Sequence, residues 1–92
     1  MALGKYLVEF IGTFIFLSVI LTKGEAIPIG IALTTAIFFG GKISGGNFNP
    51  AVSIMMYLKG ALKGGDLPMY IIAQVLGGVC ALCLHKKCNL QK

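Results

Sequence analysis

Three long apolar runs organise the chain. The first extends from Tyr6 to Thr22 and is interrupted by Glu9, the second covers residues 26–41, and the third covers residues 67–84. A helix needs roughly 17–25 predominantly apolar residues to cross the hydrocarbon core of a bilayer. The pattern therefore predicts three transmembrane helices, at 6–22, 26–41 and 67–84.

The second run carries helix signals at both ends. Pro28 lies near its start, where proline is tolerated because a first-turn N–H has no partner within the helix. The run closes on Gly40, Gly41 and Lys42, a helix-stopping glycine pair beside a cation that can reach the headgroups. We therefore expect this helix to end at Gly41.

Residues 43–58 are apolar but too short to span a membrane. They begin with a loop rich in glycine and asparagine and continue from Pro50 to Leu58. A helix over the latter stretch would be roughly 13 Å long, about half of the ~30 Å hydrocarbon thickness. Asn49 before Pro50 is a strong helix start, since asparagine favours the cap and proline the first helical position. The sequence predicts a re-entrant loop and half-helix over 43–58.

A half-helix that begins in mid-membrane has chemical consequences. Its free N–H groups carry about half a positive charge, and non-helical backbone at that depth is tolerated only when buried in protein or lining a wet cavity. Loop carbonyls and the Asn49 amide would hydrogen-bond small neutral polar molecules, whereas the helix dipole would disfavour cations. The segment therefore predicts a water-lined path.

Two polar side chains within the predicted spans require partners, those of Glu9 and Gln74. An ionisable group inside a span costs roughly 2.5–3.5 kcal/mol on insertion scales, so it is usually paired or functional. We expect loop N–H groups to pair with Glu9; the alternative is that its side chain reaches the headgroups. Gln74 is interpreted as a buried structural hydrogen-bonding residue.

The composition fits a membrane protein and excludes other classes. Hydrophobic residues make up 57% of the 92 residues and charged residues 12%, with a mean hydropathy of +0.88, whereas soluble domains carry roughly 25% charge. The net charge is +5, but the lysines are scattered between apolar runs, so no nucleic-acid partner is expected. One histidine and three carboxylates leave little for acid–base or nucleophilic catalysis. We expect neither an enzyme nor a cofactor.

Two other interpretations of the apolar runs are weaker. A secretory signal would not place Glu9 inside its hydrophobic core, and no small-residue cleavage site precedes Lys23. A soluble helical bundle would show polar residues at helical spacing. Between residues 27 and 41, however, the polar side chains are limited to Thr34 and Thr35.

Small residues recur at every fourth position in the second and third runs. Such stripes let helix backbones approach closely in lipid and predict tight packing. The stripes are Ala32, Ala36 and Gly40, and Ala73, Gly77 and Ala81.

The cysteines near the end of the chain suggest a metal site only superficially. Cys80 and Cys83 have a spacing familiar from zinc sites, and His85 and Cys88 are close by in sequence. Cys80 and Cys83 nevertheless lie within an apolar helix, where cysteine usually packs as a small hydrophobic residue. No metal is expected.

The segment Ser44-Gly45-Gly46-Asn47-Phe48-Asn49-Pro50-Ala51-Val52 resembles the first Asn-Pro-Ala loop of the aquaporin and aquaglyceroporin family. Residues 9–14 are similar to the motif in the first helix of that family, and residues 70–77 are similar to its third helix. The resemblance implies an all-α membrane protein with three transmembrane helices and one re-entrant half-helix, which is half of an inverted-repeat fold. It also implies a passive channel for water or small neutral solutes such as glycerol.

The same resemblance assigns roles to individual residues. Asn49 would donate its amide to the passing solute, with Pro50 and Ala51 completing the motif. Glu9 would brace the loop. The tight backbone path of the loop would depend on Gly45 and Gly46.

The chain departs from the family pattern at three points. Asn47 stands where the family often has histidine, which would alter gating or loop contacts more than permeation. Ile29 stands where an aromatic residue often contributes to the outer constriction, so a wider filter is implied. The second Asn-Pro-Ala loop and the filter arginine belong to a second half, and this sequence contains no arginine.

Three spans and one half-helix cannot surround a pore, so conduction would require two halves, and inverted symmetry implies two copies in opposite orientations. With the N-terminus inside, four lysines would face each side, which gives the positive-inside rule little bias. The inner set is Lys5, Lys42, Lys59 and Lys63, and the outer set is Lys23, Lys86, Lys87 and Lys92.

The sequence thus predicts an integral, multi-pass membrane protein. Its expected partners are the lipid bilayer, the solute, and either a second copy in a homo-oligomer or a complementary half-channel. The alternative function is that of a truncated, non-conducting half-channel that pairs with or modulates a full-length relative.

Overall fold

The fold follows the predicted order of elements. The computed structural model describes residues 2–90, which form four α-helices: α1 (Ala2–Thr22), α2 (Ala26–Ser44), α3 (Pro50–Lys59) and α4 (Leu67–Leu90). The helices α1, α2 and α4 are long and apolar enough to cross a membrane, whereas α3 has 10 residues. The prediction of an all-α membrane protein with three spans and one half-helix is confirmed.

Helix α1 packs against both α2 and α4, and α3 packs against α4. The contact between α1 and α4 depends on the stripe of small residues in α4. A Cβ atom on Gly77 would lie 2.8 Å from the carbonyl oxygen of Phe10, and Ala73 and Ala81 are buried on either side of it. The small residues therefore let the backbones of α1 and α4 come into contact. Such close van der Waals packing is a main source of helix association in lipid.

Helix α2 does not stop at its glycine pair. It continues to Ser44 and ends on Gly45, whose backbone is left-handed (φ 91°) and whose N–H donates to Gly41 O. The reason lies in packing: a Cβ atom on Gly40 would lie 2.7 Å from Cγ1 of Val8. Gly40 thus provides the close approach to α1, while Gly45 provides the helix end.

The other small residues of α2 have a different environment. Ala32 and Ala36 line an open apolar groove between α1 and α2, with a volume of about 680 Å³. We call it the α1–α2 groove. Helix α4 also runs past its predicted end, continuing beyond Leu84 to Leu90. Lys86 and Lys87 are good helix formers, so the charged segment extends the helix.

Candidate functional site

The carboxylate of Glu9 is the centre of a buried hydrogen-bond network. Glu9 is fully buried, with 0% of its surface exposed. Oε2 accepts hydrogen bonds from Ser44 Oγ (2.7 Å) and from the backbone N–H of Asn47 (3.1 Å). Oε1 accepts from the backbone N–H of Phe48 (2.8 Å) and from Gln74 Nε2 (2.9 Å). The side chain therefore does not reach toward headgroups; four donors from α2, the loop and α4 surround it, as a buried carboxylate requires.

A second buried oxygen, Oγ of Ser53 on α3, extends the network. It accepts from Gln74 Nε2 (2.7 Å) and from Asn47 Nδ2 (2.9 Å). Because a carboxylate can only accept, the Gln74 amide must direct its nitrogen toward Glu9, and the same nitrogen reaches Ser53. The start of the half-helix is thereby tied to both α1 and α4.

The end of α2 is fixed from α4 as well. Tyr70 is 2% exposed, and its hydroxyl donates to the carbonyl oxygen of Ser44 (2.6 Å). Its ring packs edge-to-face against Tyr6, with centroids 5.9 Å apart. Ser44, the last residue of α2, is therefore held through its backbone and its side chain.

An ion pair joins Lys5, near the beginning of α1, to Asp66, the residue before α4. Lys5 Nζ lies 2.6 Å from Asp66 Oδ2, and the Tyr6 hydroxyl donates to Asp66 Oδ1 (2.7 Å). The bond from the Lys5 ammonium, followed by that from the Tyr6 hydroxyl, lowers the pKa of the Asp66 carboxyl below its ordinary value of 3.8. This contact positions the start of α4 relative to α1.

The loop between α2 and α3 makes its turn with three left-handed residues. Gly45 (φ 91°) and Gly46 (φ 65°) adopt this conformation at low cost, and Phe48 (φ 53°) adopts it despite its side chain. The Phe48 ring is 2% exposed. It lies against Gly12 and Gly40, where added Cβ atoms would overlap or crowd it.

Asn49 caps the half-helix. Its backbone is extended, its Oδ1 accepts the backbone N–H of Ala51 (2.7 Å), and Pro50 occupies the first helical position. The residue is exposed, and among residues 2–90 its amide nitrogen makes no hydrogen bond. The cap therefore uses the oxygen of the side chain and leaves both amide hydrogens available to an outside acceptor.

Asn49 and Pro50 line an open groove of about 390 Å³ between α1 and α4, which we call the site groove. Its other walls are mostly apolar. They are formed by Thr13, Phe16, Leu17, Phe48, Gln74, Val75, Gly78, Val79 and Leu82. The groove thus combines one free amide donor with hydrocarbon walls, which suits a small neutral molecule better than an ion.

The structure brings together most of the predicted site residues but not all of them. Glu9, Gln74 and Asn47 share the buried network, and Asn49 lies one residue beyond Phe48, which donates to Glu9. Ile29 lies in the first turn of α2, fifteen residues before Ser44, or about 22 Å along the helix. It does not line the site groove.

Sequence reasoning missed the roles of Ser53, Tyr70, Gly12 and Phe48. For Gly12 a signal existed, because it lies three residues after Glu9 and therefore on the same helix face. Gln74, which donates to Ser53, lies 21 residues from it in sequence, and Ser44, which accepts from Tyr70, lies 26 residues from it. No local pattern reports such distant pairs.

The cysteines form no metal centre within the described part of the chain. Cys80, Cys83 and Cys88 are free and exposed. Within residues 2–90 no group of three His, Cys, Asp or Glu side chains is arranged to hold an ion.

Comparison with known proteins identifies the family. Residues 18–91 match the family model described as "Major intrinsic protein". The glycerol uptake facilitator protein-like 6 of Lactiplantibacillus plantarum is 42% identical over 86 residues, which cover 84% of this chain and 40% of that protein. Human aquaporin-10 is 36% identical over 92 residues, covering 82% of this chain and 30% of that protein. The glycerol uptake facilitator protein of Pseudomonas aeruginosa is 44% identical over 55 residues, covering 60% and 20%.

No solved structure matches the chain at a significant level. The chain spans two fifths or less of the length of the three relatives named above. The family match and the three long apolar helices make it an integral, multi-pass membrane protein of a channel family and not an enzyme. The resemblance of its Asn-Pro-Ala loop is confirmed: the chain belongs to the major intrinsic protein family.

Proposed function

We propose that this chain forms one half of a passive transmembrane channel for water and small neutral solutes such as glycerol. The observation that carries the proposal is the state of Asn49. Its side-chain oxygen caps α3, while its exposed amide nitrogen makes no hydrogen bond among residues 2–90. An amide donor fixed at the start of a half-helix can bind a hydroxyl or water oxygen, and the positive end of the helix repels cations.

Conduction requires a second half, because one half-helix and three spans leave the site groove open on one side. Two copies in opposite orientations would close it, as inverted repeats do within single chains. The lysine distribution supports such dual insertion. Within the described residues, Lys23, Lys86 and Lys87 lie on one side, and Lys5, Lys42, Lys59 and Lys63 lie on the other, where Asp66 pairs with Lys5. The charge bias that fixes orientation is therefore weak.

In this channel each predicted pore residue has its own function. Asn49 binds the solute, while Pro50 and Ala51 form the first turn beneath it. Ile29, an aliphatic residue at the far end of α2, would contribute a wide outer opening that admits glycerol as well as water.

The test is osmotic shrinkage of proteoliposomes that contain only this chain. Wild type should accelerate shrinkage over empty liposomes, Asn49→Ala should not, and a glycerol gradient should give a second, glycerol-dependent phase. Asn89→Ala is the matched control, since Asn89 is exposed on α4 and bonds only to His85 among the described residues. No acceleration by folded, inserted wild-type chain would overturn the proposal.

In a second candidate function, this chain is a non-conducting half that pairs with a full-length relative and modulates it. The chain covers 40% and 30% of the first two relatives named above. Co-reconstitution with a full-length relative separates the two candidate functions. A modulator changes the flux through the relative in proportion to the amount of this chain added, but produces no flux when reconstituted alone.

A further inference from the structure

Phe48 has an unusual backbone conformation. Within residues 2–90 it is the one non-glycine residue with a positive φ, at 53°. A bulky side chain rarely adopts this region, and such strain persists only where the surroundings determine the conformation. The residue next to the candidate pore asparagine is therefore held by its neighbours.

Two kinds of contact hold it. Its backbone N–H donates to Oε1 of the buried Glu9 (2.8 Å), and its ring fills a slot whose floor consists of two glycines. A Cβ atom on Gly12 would overlap the ring, and one on Gly40 would lie 3.2 Å from Cζ. The slot between α1 and α2 therefore fits this ring only because both glycines lack side chains.

The ring also separates two grooves. Phe48 lines the apolar α1–α2 groove of about 680 Å³ and also the site groove of about 390 Å³. The glycines beside it have no side chain that could close the gap if the ring were smaller. The size of residue 48 thus determines the space beside Asn49.

Asn49 itself has few other anchors. Among the described residues, its side chain bonds only to the N–H of Ala51, which belongs to the same half-helix. The carbonyl oxygen of Asn49 also accepts the backbone N–H of Ser53 in α3 (3.0 Å), so its position depends on α3 and on the peptide that joins it to Phe48. A shift of the ring moves the amide donor.

We propose that Phe48 is a specificity-determining positioning residue: its ring, seated between Gly12 and Gly40, sets the location of the Asn49 amide and the width of the site groove. The inference rests on the proposed channel function and assigns its solute selection to this ring. A smaller residue at 48 widens the groove and favours the larger solute. A side chain at position 12 displaces the ring and misplaces the donor.

The experiment compares the ratio of glycerol to water permeability in proteoliposomes. Phe48→Leu should raise the ratio by about tenfold, the low end of the discrimination that one methylene supplies in a packed site. Phe38→Leu is the matched control, because Phe38 is 77% exposed on α2, and its ratio should equal that of wild type. The ratio is independent of how much protein is correctly inserted, so a purely structural defect would not change it.

A size swap provides the second readout. Gly12→Ala should abolish most of the flux, and the double variant Gly12→Ala/Phe48→Leu should restore it, because the smaller side chain makes room for the added methyl group. An unchanged ratio in Phe48→Leu, or a Gly12→Ala defect that Phe48→Leu does not relieve, would overturn the inference. If wild type conducts nothing, the channel proposal fails and the selectivity role fails with it. Melting temperatures of the two single variants and the double variant would then still show whether the Phe48 ring packs against Gly12, because the two substitutions would have non-additive effects.

Discussion

The backbone N–H of Phe48 donates to Oε1 of Glu9 across 2.8 Å, although 39 residues separate them in sequence. This bond joins the first span to the loop that begins the half-helix. Because the neighbouring N–H of Asn47 and the amide of Gln74 donate to the same side chain, one buried acidic residue determines the path of the loop. The stability of the whole assembly of helices should depend on it.

Glu9→Gln should destabilise the fold. The amide that replaces the carboxylate has one acceptor and one donor group, so its nitrogen must face donors already directed at Glu9. Each buried donor left without a partner costs about 1–3 kcal/mol. Denaturant titration in detergent micelles measures the loss; Glu25→Gln is the control, since Glu25 is exposed and makes no side-chain capping bond. Equal stability of the two variants would contradict the role of Glu9.

Ser53→Ala should lower the free energy of unfolding by about 1–3 kcal/mol, because it removes the acceptor of two buried amide donors. The matched control is Ser18→Ala, since the Ser18 hydroxyl oxygen is buried without a hydrogen-bond partner among residues 2–90. Its removal should be neutral or stabilising. If Ser18→Ala costs as much as Ser53→Ala in the same unfolding assay, the network contributes nothing specific.

Gly77→Ala should weaken the contact between α1 and α4. The added methyl would lie 2.8 Å from the Phe10 carbonyl oxygen, and backbone cannot move aside as a side chain can. Overpacking of this kind costs about 1–3 kcal/mol. Gly30→Ala, where nothing lies within 4 Å, should instead stabilise α2 by about 0.5–1 kcal/mol. Thermal melts of both variants give the comparison, and a Gly77→Ala protein as stable as Gly30→Ala would refute close packing here.

Asp66 should make stability depend on pH. Its pKa is lowered in the folded state, chiefly by Lys5, so its contribution is present above its ordinary value of 3.8 and is lost as pH falls through the lower, folded-state pKa. The stability advantage of wild type over Asp66→Asn should therefore shrink as the pH is lowered from neutrality to below that value. Melting temperatures across this range check it, with Glu25→Gln as control. A constant difference between wild type and Asp66→Asn would show that the ion pair does not act through charge.

Much of the fold was predictable because hydropathy and helix-start signals are local. The long apolar runs gave α1, α2 and α4, and Asn49 with Pro50 marked the start of α3. Glu9 was recognisable as a residue that requires partners, since a carboxylate inside a span is rarely left unpaired.

What escaped prediction depends on contacts between distant segments. Gly40 looked like a helix stop, but its neighbours Val8 and Phe48 require a residue without a side chain inside the helix. The left-handed conformation of Phe48 contradicts the preference of a bulky residue and is explained only by Glu9 and the glycine slot. Conformational propensity describes an isolated segment, whereas tertiary packing determines the conformation at Gly40 and Phe48.

In the proposed channel, Asn49 lies at the narrow point of a water-filled path, and the substitution Asn49→Asp examines this location. The measurement is cation leakage in proteoliposomes whose water flux is recorded in parallel. Asn49→Asp should still conduct water but admit cations that wild type excludes, because a carboxylate offsets the positive end of α3. Water flux with unchanged exclusion of cations would contradict that location of Asn49.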